Sequence, residues 1–413
     1  MGKKETANPA IAPRVSLRKC SDYNADAISE IVGQCIADLG GIKKFTGSAK
    51  KILLKPNLLT PTPPELAVTT HPVFIEGVLK YLKSHMGPDT VFTIADSPGA
   101  AIPHTKKELQ RLYDLCGLNY LQEDGRVILN TGEGFSEASY REGAVFKHLE
   151  VIDPILDADI IINLPKFKTH SLAQITGAVK NMYGILPGRN KTILHTKFLD
   201  IEKFCNMNLD IYMFAKPVLN IMDAITGLEG EGPGASGKKR DVGLVIASGS
   251  GVALDNLVSA IMGFKKNSVP VIQCASKRNI PGADIDNLEV FDGSGRVSDI
   301  EAYAISDFMK PGKSVVNIIS GNRFVNSYFL PFARNSLSLS PFQDLDRCTM
   351  CGICIEVCPE QAISLSKKDK NRLEFDYKKC IRCYCCSEMC EYGAIKMKYS
   401  FIGNLIFGRK KVK

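Results

Sequence analysis

Nothing limits what this chain can fold into more than the spacing of its cysteines after residue 347. Cys348-Thr-Met-Cys351-Gly-Ile-Cys354-Ile-Glu-Val-Cys358 reads C-x2-C-x2-C-x3-C, and the spacing returns in Cys380-Ile-Arg-Cys383-Tyr-Cys-Cys386-Ser-Glu-Met-Cys390. Three thiolates on one tight loop can take three corners of an iron–sulfur cubane. The fourth cysteine opens a helix that points away, so it ligates the other cluster. The spacing therefore predicts two [4Fe–4S] clusters. Cys348, Cys351, Cys354 and Cys390 hold one, and Cys380, Cys383, Cys386 and Cys358 hold the other.

The echo runs past the ligands, since Cys358-Pro-Glu-Gln-Ala-Ile363 matches Cys390-Glu-Tyr-Gly-Ala-Ile395. An internal repeat of this kind marks one supersecondary unit used twice. Two departures are Glu391 where the first run has Pro359, and Cys385, an extra thiol beside Cys386. Zinc sites and disulfide frameworks use other spacings. Residues 340–400 resemble a 2[4Fe–4S] ferredoxin domain of bacterial type, small and α+β.

A chain of 413 residues has room for two or three domains. Nine of its fourteen cysteines lie in the ferredoxin-like stretch. Cys20, Cys35, Cys116, Cys205 and Cys274 stand singly, as reduced thiols in a cytosol would, so a cytoplasmic location is expected. Residues 1–14 lack the apolar run of a signal peptide and read as a disordered tail. Residues 401–413 are apolar and then basic; the expectation is packing on the parent protein, not membrane contact. No basic helix or aromatic platform predicts nucleic-acid binding.

Between Val15 and Asn335 short β-branched runs alternate with amphipathic stretches. Strands are expected at Lys51–Lys55, Thr90–Ala95, Asp159–Asn163, Val218–Met222 and Val242–Ala247, with helices at 72–83, 106–116 and 252–262, and Val269–Cys274 closes the regular part. That alternation predicts an α/β domain over 15–335 with a mainly parallel sheet. Ligands of such sheets bind beyond the carboxyl ends of the strands. The segments there are polar: Lys55-Pro-Asn57, Asp96-Ser-Pro-Gly99, Lys166-Phe-Lys168-Thr-His170 and Asp223 onward.

Lys166, Lys168 and His170 suit a carboxylate or phosphate ligand, although a solvated basic loop would look the same. Thr176-Gly-Ala-Val-Lys180-Asn-Met-Tyr-Gly184 is glycine-rich for a helix, which fits a backbone that approaches a ligand closely. Gly227 to Gly237, followed by Lys238-Lys-Arg240, could cradle a phosphate or be a mobile loop; it is not a Walker A sequence. Ser248-Gly-Ser-Gly251 is a weaker helix-start anion signal. No Ser-His-Asp or H-E-x-x-H pattern supports common hydrolysis.

Taken together, Lys55-Pro-Asn57, Asp96-Ser-Pro-Gly99, Asn163-Leu-Pro-Lys166-Phe-Lys168-Thr-His170, Lys180-Asn-Met-Tyr-Gly184 and Asp223-Ala with Gly230-Glu-Gly-Pro233 resemble the DUF362 family. That resemblance implies an iron–sulfur protein with a large domain of unsettled function and a ferredoxin domain appended. His170, Lys180, Ile185-Leu-Pro-Gly188 and His195 are more faintly similar to the lactate racemase (nickel-pincer) family. This second resemblance implies Lys180 as anchor of an unidentified second cofactor, His195 as metal ligand and His170 as acid–base group. The Gly-Gly before the lysine is missing here.

The resulting expectation is an iron–sulfur oxidoreductase that relays electrons to an anionic small-molecule acceptor. Lys55, Asn57, Asp96, Lys166 and Lys168 would bind the acceptor, and His170, Lys180 and His195 would be catalytic. A redox partner protein would supply or remove electrons. The alternatives are an electron carrier or maturation module without chemistry of its own, and a racemase-like isomerase.

Overall fold

The computed structural model describes residues 12–99, 102–188, 191, 193–194, 198, 200–312, 338–400, 402 and 404–405. His195 and most of both expected tails lie outside the described residues. The large domain is built on β1 (Arg14–Lys19), β2 (Lys51–Pro56), β3 (Val91–Ile94), β4 (Val127–Leu129), β5 (Ile160–Leu164), β6 (Lys166–His170), β7 (Leu219–Glu229), β8 (Lys238–Ser248) and β9 (Glu289–Asp292). With two two-residue strands these form one eleven-stranded sheet, in which the order runs β9-β1-β8-β7-β5-β2-β3-β4. Neighbours from β4 through to β7 are parallel, whereas β8 is antiparallel to both β7 and β1. The sheet is mixed, with a parallel core.

Among its helices are α1 (Ala25–Asp38), α2 (Pro72–His85), α3 (Lys106–Leu115), α4 (Gly177–Asn181), α5 (Ile201–Ala215), α6 (Gly251–Ile261) and α7 (Pro270–Lys277). Alternation along β2 shows how the two faces are served. Ile52 and Leu54 point to a core shared with Ile28, Phe74 and Leu112, and Leu53 points to one shared with Phe204, Leu254 and Ile272. A strand buried on both faces reads as an unbroken apolar run, as β2 and β5 do. His71 caps α2, its Nδ1 accepting from the Val73 amide at 3.3 Å.

The segment Val269–Cys274 opens α7, where Pro270 takes the first position with its φ already helical. Two sequence expectations need correction. Lys166–His170, read as a loop, is a fully buried strand. Asp223–Glu229, also read as a loop, continues β7, and Lys238–Arg240 pairs with it in β8. The start of α6 is internally satisfied: Gly251 N–H donates to the Tyr212 hydroxyl, and Ala253 N–H to Ser250 Oγ.

In the carboxyl-terminal domain Ser340–Gln343 pairs with Ile395–Lys398, and Ile363–Leu365 with Leu373–Phe375. The repeat is visible in the backbone. Met350 and Arg382, Gly352 and Tyr384, and Gln361 and Gly393 all have φ between 48° and 84°. Each pair holds the same place in the two cysteine runs, and such left-handed residues let a short loop turn all its thiols inward.

This domain is docked on the large one through positions without side chains. A Cβ on Gly234 would lie 2.7 Å from the Glu388 carbonyl oxygen, and one on Gly393 2.4 Å from that of Ala235. Ser236 Oγ donates to the Ile395 carbonyl at 3.0 Å, and Arg111 pairs with Glu391 at 3.1 Å. Gly234→Val is therefore expected to part the two domains, at a cost of about 1–3 kcal/mol for overpacking. Hydrogen exchange should rise at 230–237 and 385–389 while iron content stays the same; unchanged exchange at both segments would contradict this packing.

Candidate functional site

In the sheet order β2 lies between β3 and β5, which follow it on opposite sides, and such a reversal leaves a crevice at the carboxyl ends. Lys55 and Asp96 come from those ends. Lys55 is wholly buried, pairs with Asp96 Oδ1 at 2.7 Å and donates to the Pro56 carbonyl at 2.8 Å. Asp96 Oδ2 accepts from the Leu58 amide at 2.7 Å. Gly184 lies against this pair, where a Cβ would stand 2.0 Å from Asp96 Oδ1 and 2.5 Å from Lys55 Nζ. The close approach expected of a glycine there is made to the site's own side chains.

A chain of buried amides orients the next lysine. Lys168 Nζ donates to Asn57 Oδ1 at 2.7 Å, and Asn57 Nδ2 to Asn181 Oδ1 at 2.8 Å. Asn181 Nδ2 in turn donates to Asn163 Oδ1 at 2.7 Å, and Asn163 Nδ2 to Asn220 Oδ1 at 2.9 Å. Each amide uses its oxygen toward one neighbour and its nitrogen toward the next, so none can flip without breaking two bonds. Burial holds Lys168 well below the usual lysine range, and the neighbouring Lys180 and Lys166 push the same way.

Lys180 projects from α4, whose first amides, Ala178 and Val179, donate to the buried Asp255. Its ammonium lies 5.2 Å from the Tyr183 ring and 5.7 Å from that of Phe204. Burial lowers its pKa, and Glu388 opposes the shift. Lys191 Nζ donates to the Ser97 and Pro98 carbonyls. Burial pushes its pKa down to about 7, against the pull of Asp96 and with the help of Lys55 and Lys180.

Lys55, Lys168, Lys180 and Lys191 converge on one cavity of about 60 Å³, together with Asn57 and Asp96. The opposite wall belongs to the cysteine-rich domain, whose Cys385, Glu388 and Met389 line the same space. Thr176 also lines it; its hydroxyl is buried and has no hydrogen-bond partner among the described residues. Four lysines against two carboxylates are a lining that suits an anion. The volume holds roughly four waters, or a small anion of like bulk.

Two predicted residues lie outside the lining. Lys166 pairs with Asp223 at 2.6 Å and with the Tyr23 hydroxyl at 2.9 Å, because Asp223 is a strand residue directly beside it. His170 Nδ1 accepts from the Leu172 and Ala173 amides, both at 3.1 Å. Its hydrogen is therefore on Nε2, which stands 3.1 Å from Glu388 Oε1. Burial holds His170 down to about 4, with Lys180 adding to the effect, so the ring is neutral where it faces the carboxylate of the other domain.

Sequence reasoning missed Lys191, Thr176 and Glu388, and left Cys385 without a role. Its one usable signal was that Cys385 is a thiol beyond the two quartets.

Those quartets enclose two further chambers. Cys348, Cys351, Cys354 and Cys390 line one with Ile353, Leu373 and Ile395; Cys358, Cys380, Cys383 and Cys386 line the other with Ile363 and Phe375. In each repeat the fourth sulfur accepts an amide hydrogen bond: Ala362 to Cys358 at 3.2 Å, and Ala394 to Cys390 at 3.1 Å. Thiols in an apolar chamber, with amide donors on sulfur, fit a [4Fe–4S] group. Among the described residues no His, Cys, Asp and Glu cluster suits a single metal ion, and no helix is long and apolar enough to cross a membrane.

The chain is similar to several known proteins. A thylakoid-associated protein of Synechocystis is 29% identical over 264 residues, 62% of this chain and 77% of its own. Among solved structures, the lactate racemase apoprotein of Thermoanaerobacterium thermosaccharolyticum aligns at 13% identity and a TM-score of 0.35, over 76% of this chain and 90% of that one. A Thermotoga maritima protein aligns at 12% and 0.33, over 49% of this chain and 51% of its own. The model of a 4Fe-4S dicluster domain matches residues 347–394, and that of a domain of unknown function, DUF362, matches 52–260. The latter match spans just over half of the chain, which belongs to the DUF362 family and carries a 4Fe-4S dicluster domain near its carboxyl end.

Proposed function

We propose that this protein is an iron–sulfur oxidoreductase whose acceptor is a small anion held in the lysine-lined cavity between the two domains. One observation carries the reading: Cys385 lines that cavity while its neighbour Cys386 lines a cysteine chamber. On this reading the predicted quartets are the cluster ligands, and the bound clusters supply single electrons at the cavity wall.

The chain's own residues then have separable tasks. Lys180 and Lys191 bind the anion's charge, and Thr176 Oγ offers it a hydrogen bond. Lys168, fixed by the asparagine chain, orients it. Docking at Gly234, Gly393 and His170–Glu388 excludes bulk water, which strengthens every charge interaction inside. Lys191, with its pKa near 7, is the group suited to hand a proton to a reduced product.

The test is to reduce the anaerobic holoprotein chemically, remove the reductant, and add small carboxylates and oxyanions one at a time. Rapid return of the oxidised cluster absorbance with a stoichiometric product supports the proposal. A protein that no small anion reoxidises, but that a carrier protein does, would favour the electron-carrier alternative.

The pH dependence has a definite sign. Only charged Lys191 attracts an anion, so affinity should be level below about pH 7 and fall as pH rises through it, by up to about tenfold per unit. Calorimetric titration with formate from pH 6 to 9 reads this. Affinity that rises with pH would contradict the role of Lys191.

A further inference from the structure

The two cysteine chambers are unequal in access, and the difference gives the electron path a direction. The chamber of Cys358, Cys380, Cys383 and Cys386 lies on the side of the anion cavity, since Cys385, next in the chain to Cys386, lines that cavity. The chamber of Cys348, Cys351, Cys354 and Cys390 faces outward: Cys351 is exposed, and Leu365 and Tyr392, which line it, are 54% and 47% exposed. Leu345 is also exposed, three residues before Cys348.

Beside this apolar rim runs the turn Ser366-Lys367-Lys368-Asp369-Lys370-Asn371-Arg372, joining the strands that end at Leu365 and begin at Leu373. Both leucines line the outward chamber. Asp369 pairs with Arg372 at 3.2 Å. Lys367, Lys368 and Lys370 are exposed and make no ion pair among the described residues. An apolar patch next to three uncompensated like charges is what a transient protein partner of opposite charge recognises. The charges steer the encounter, and the patch closes it over a short distance.

We propose that an acidic one-electron carrier protein docks on Lys367, Lys368 and Lys370 and delivers its electron through the quartet of Cys348, Cys351, Cys354 and Cys390. One electron leaves the reduced carrier, which is oxidised by one unit, and is taken up within this domain; no bond or proton moves. The inference needs the clusters but not the acceptor assignment, because uptake is read with no acceptor present.

The probe is an acidic flavodoxin, reduced beforehand and mixed with the oxidised holoprotein in stopped flow. Its flavin absorbance follows the transfer, and calorimetry with the oxidised flavodoxin gives its affinity. The expected second-order rate falls at least tenfold on going from low to high salt, and about as much in Lys367→Glu/Lys368→Glu/Lys370→Glu at low salt. Affinity should weaken in parallel, while reduction by dithionite and iron content stay as in the unaltered protein. Lys378→Glu/Lys379→Glu, beside Cys380 of the other quartet, should leave the rate within about twofold. A triple variant with undiminished rate and affinity, or a loss confined to the Lys378/Lys379 variant, would overturn the proposal.

Discussion

Lys180→Met is expected to abolish reoxidation of the reduced protein by its anionic acceptor while leaving the clusters in place. Methionine keeps most of the lysine's length and apolar stem, so α4 and the Tyr183 and Phe204 rings retain their packing. What is lost is one charge-assisted contact in a water-poor cavity, about 1.5–3 kcal/mol, or roughly ten- to a hundredfold in affinity. Turnover should fall further, because a displaced anion also loses its place against the Cys385 wall. The readouts are acceptor-driven return of cluster absorbance, which should vanish, and the reductant titration, which should not change. Normal reoxidation in this variant would remove Lys180 from the site.

The second large effect concerns the crossed ligands. Cys358→Ala should remove about four of about eight irons. On the crossed assignment, adding Cys380→Ala costs nothing more, because both changes strike one quartet. Adding Cys348→Ala instead should leave the protein almost without iron. If each run held its own cluster, the two double variants would exchange results. Iron and acid-labile sulfide per chain decide it, and sites that act as one unit are expected to show this non-additivity.

How much of this was legible in the sequence depended on distance along the chain. The cysteine spacing is a local signal, and the structure sets all eight thiols around two chambers in the predicted groups. The parallel core was legible because strands buried on both faces have no polar alternation to obscure them. Lys166–His170 and Asp223–Glu229 were read as loops since charged residues are rare in fully buried strands. Each of those side chains has its neighbour in the fold: Lys166 beside Asp223, Lys168 beside Asn57, His170 beside Glu388. Pairing of that kind comes from tertiary contact and leaves no period in the sequence.

The far wall of the cavity could not be read at all. Cys385 and Glu388 meet Lys180 across some two hundred residues, and only the docking of one domain on the other brings them together. Lys191 looks like any other lysine of a polar segment. Gly234, by contrast, was noticed for the wrong reason: its missing side chain admits the Glu388 carbonyl where a phosphate had been considered.

A small anion held beside the cluster domain, against Lys180, would lie close to the bound clusters. Reduced iron–sulfur clusters are paramagnetic and speed the relaxation of nearby nuclei, so the direct measurement is the carbon-13 relaxation of labelled formate in dilute reduced protein. Strong enhancement is expected in the unaltered protein, and its loss in Lys180→Met at equal iron content. Equal relaxation in the two proteins would place the anion elsewhere and remove Lys180 from its site.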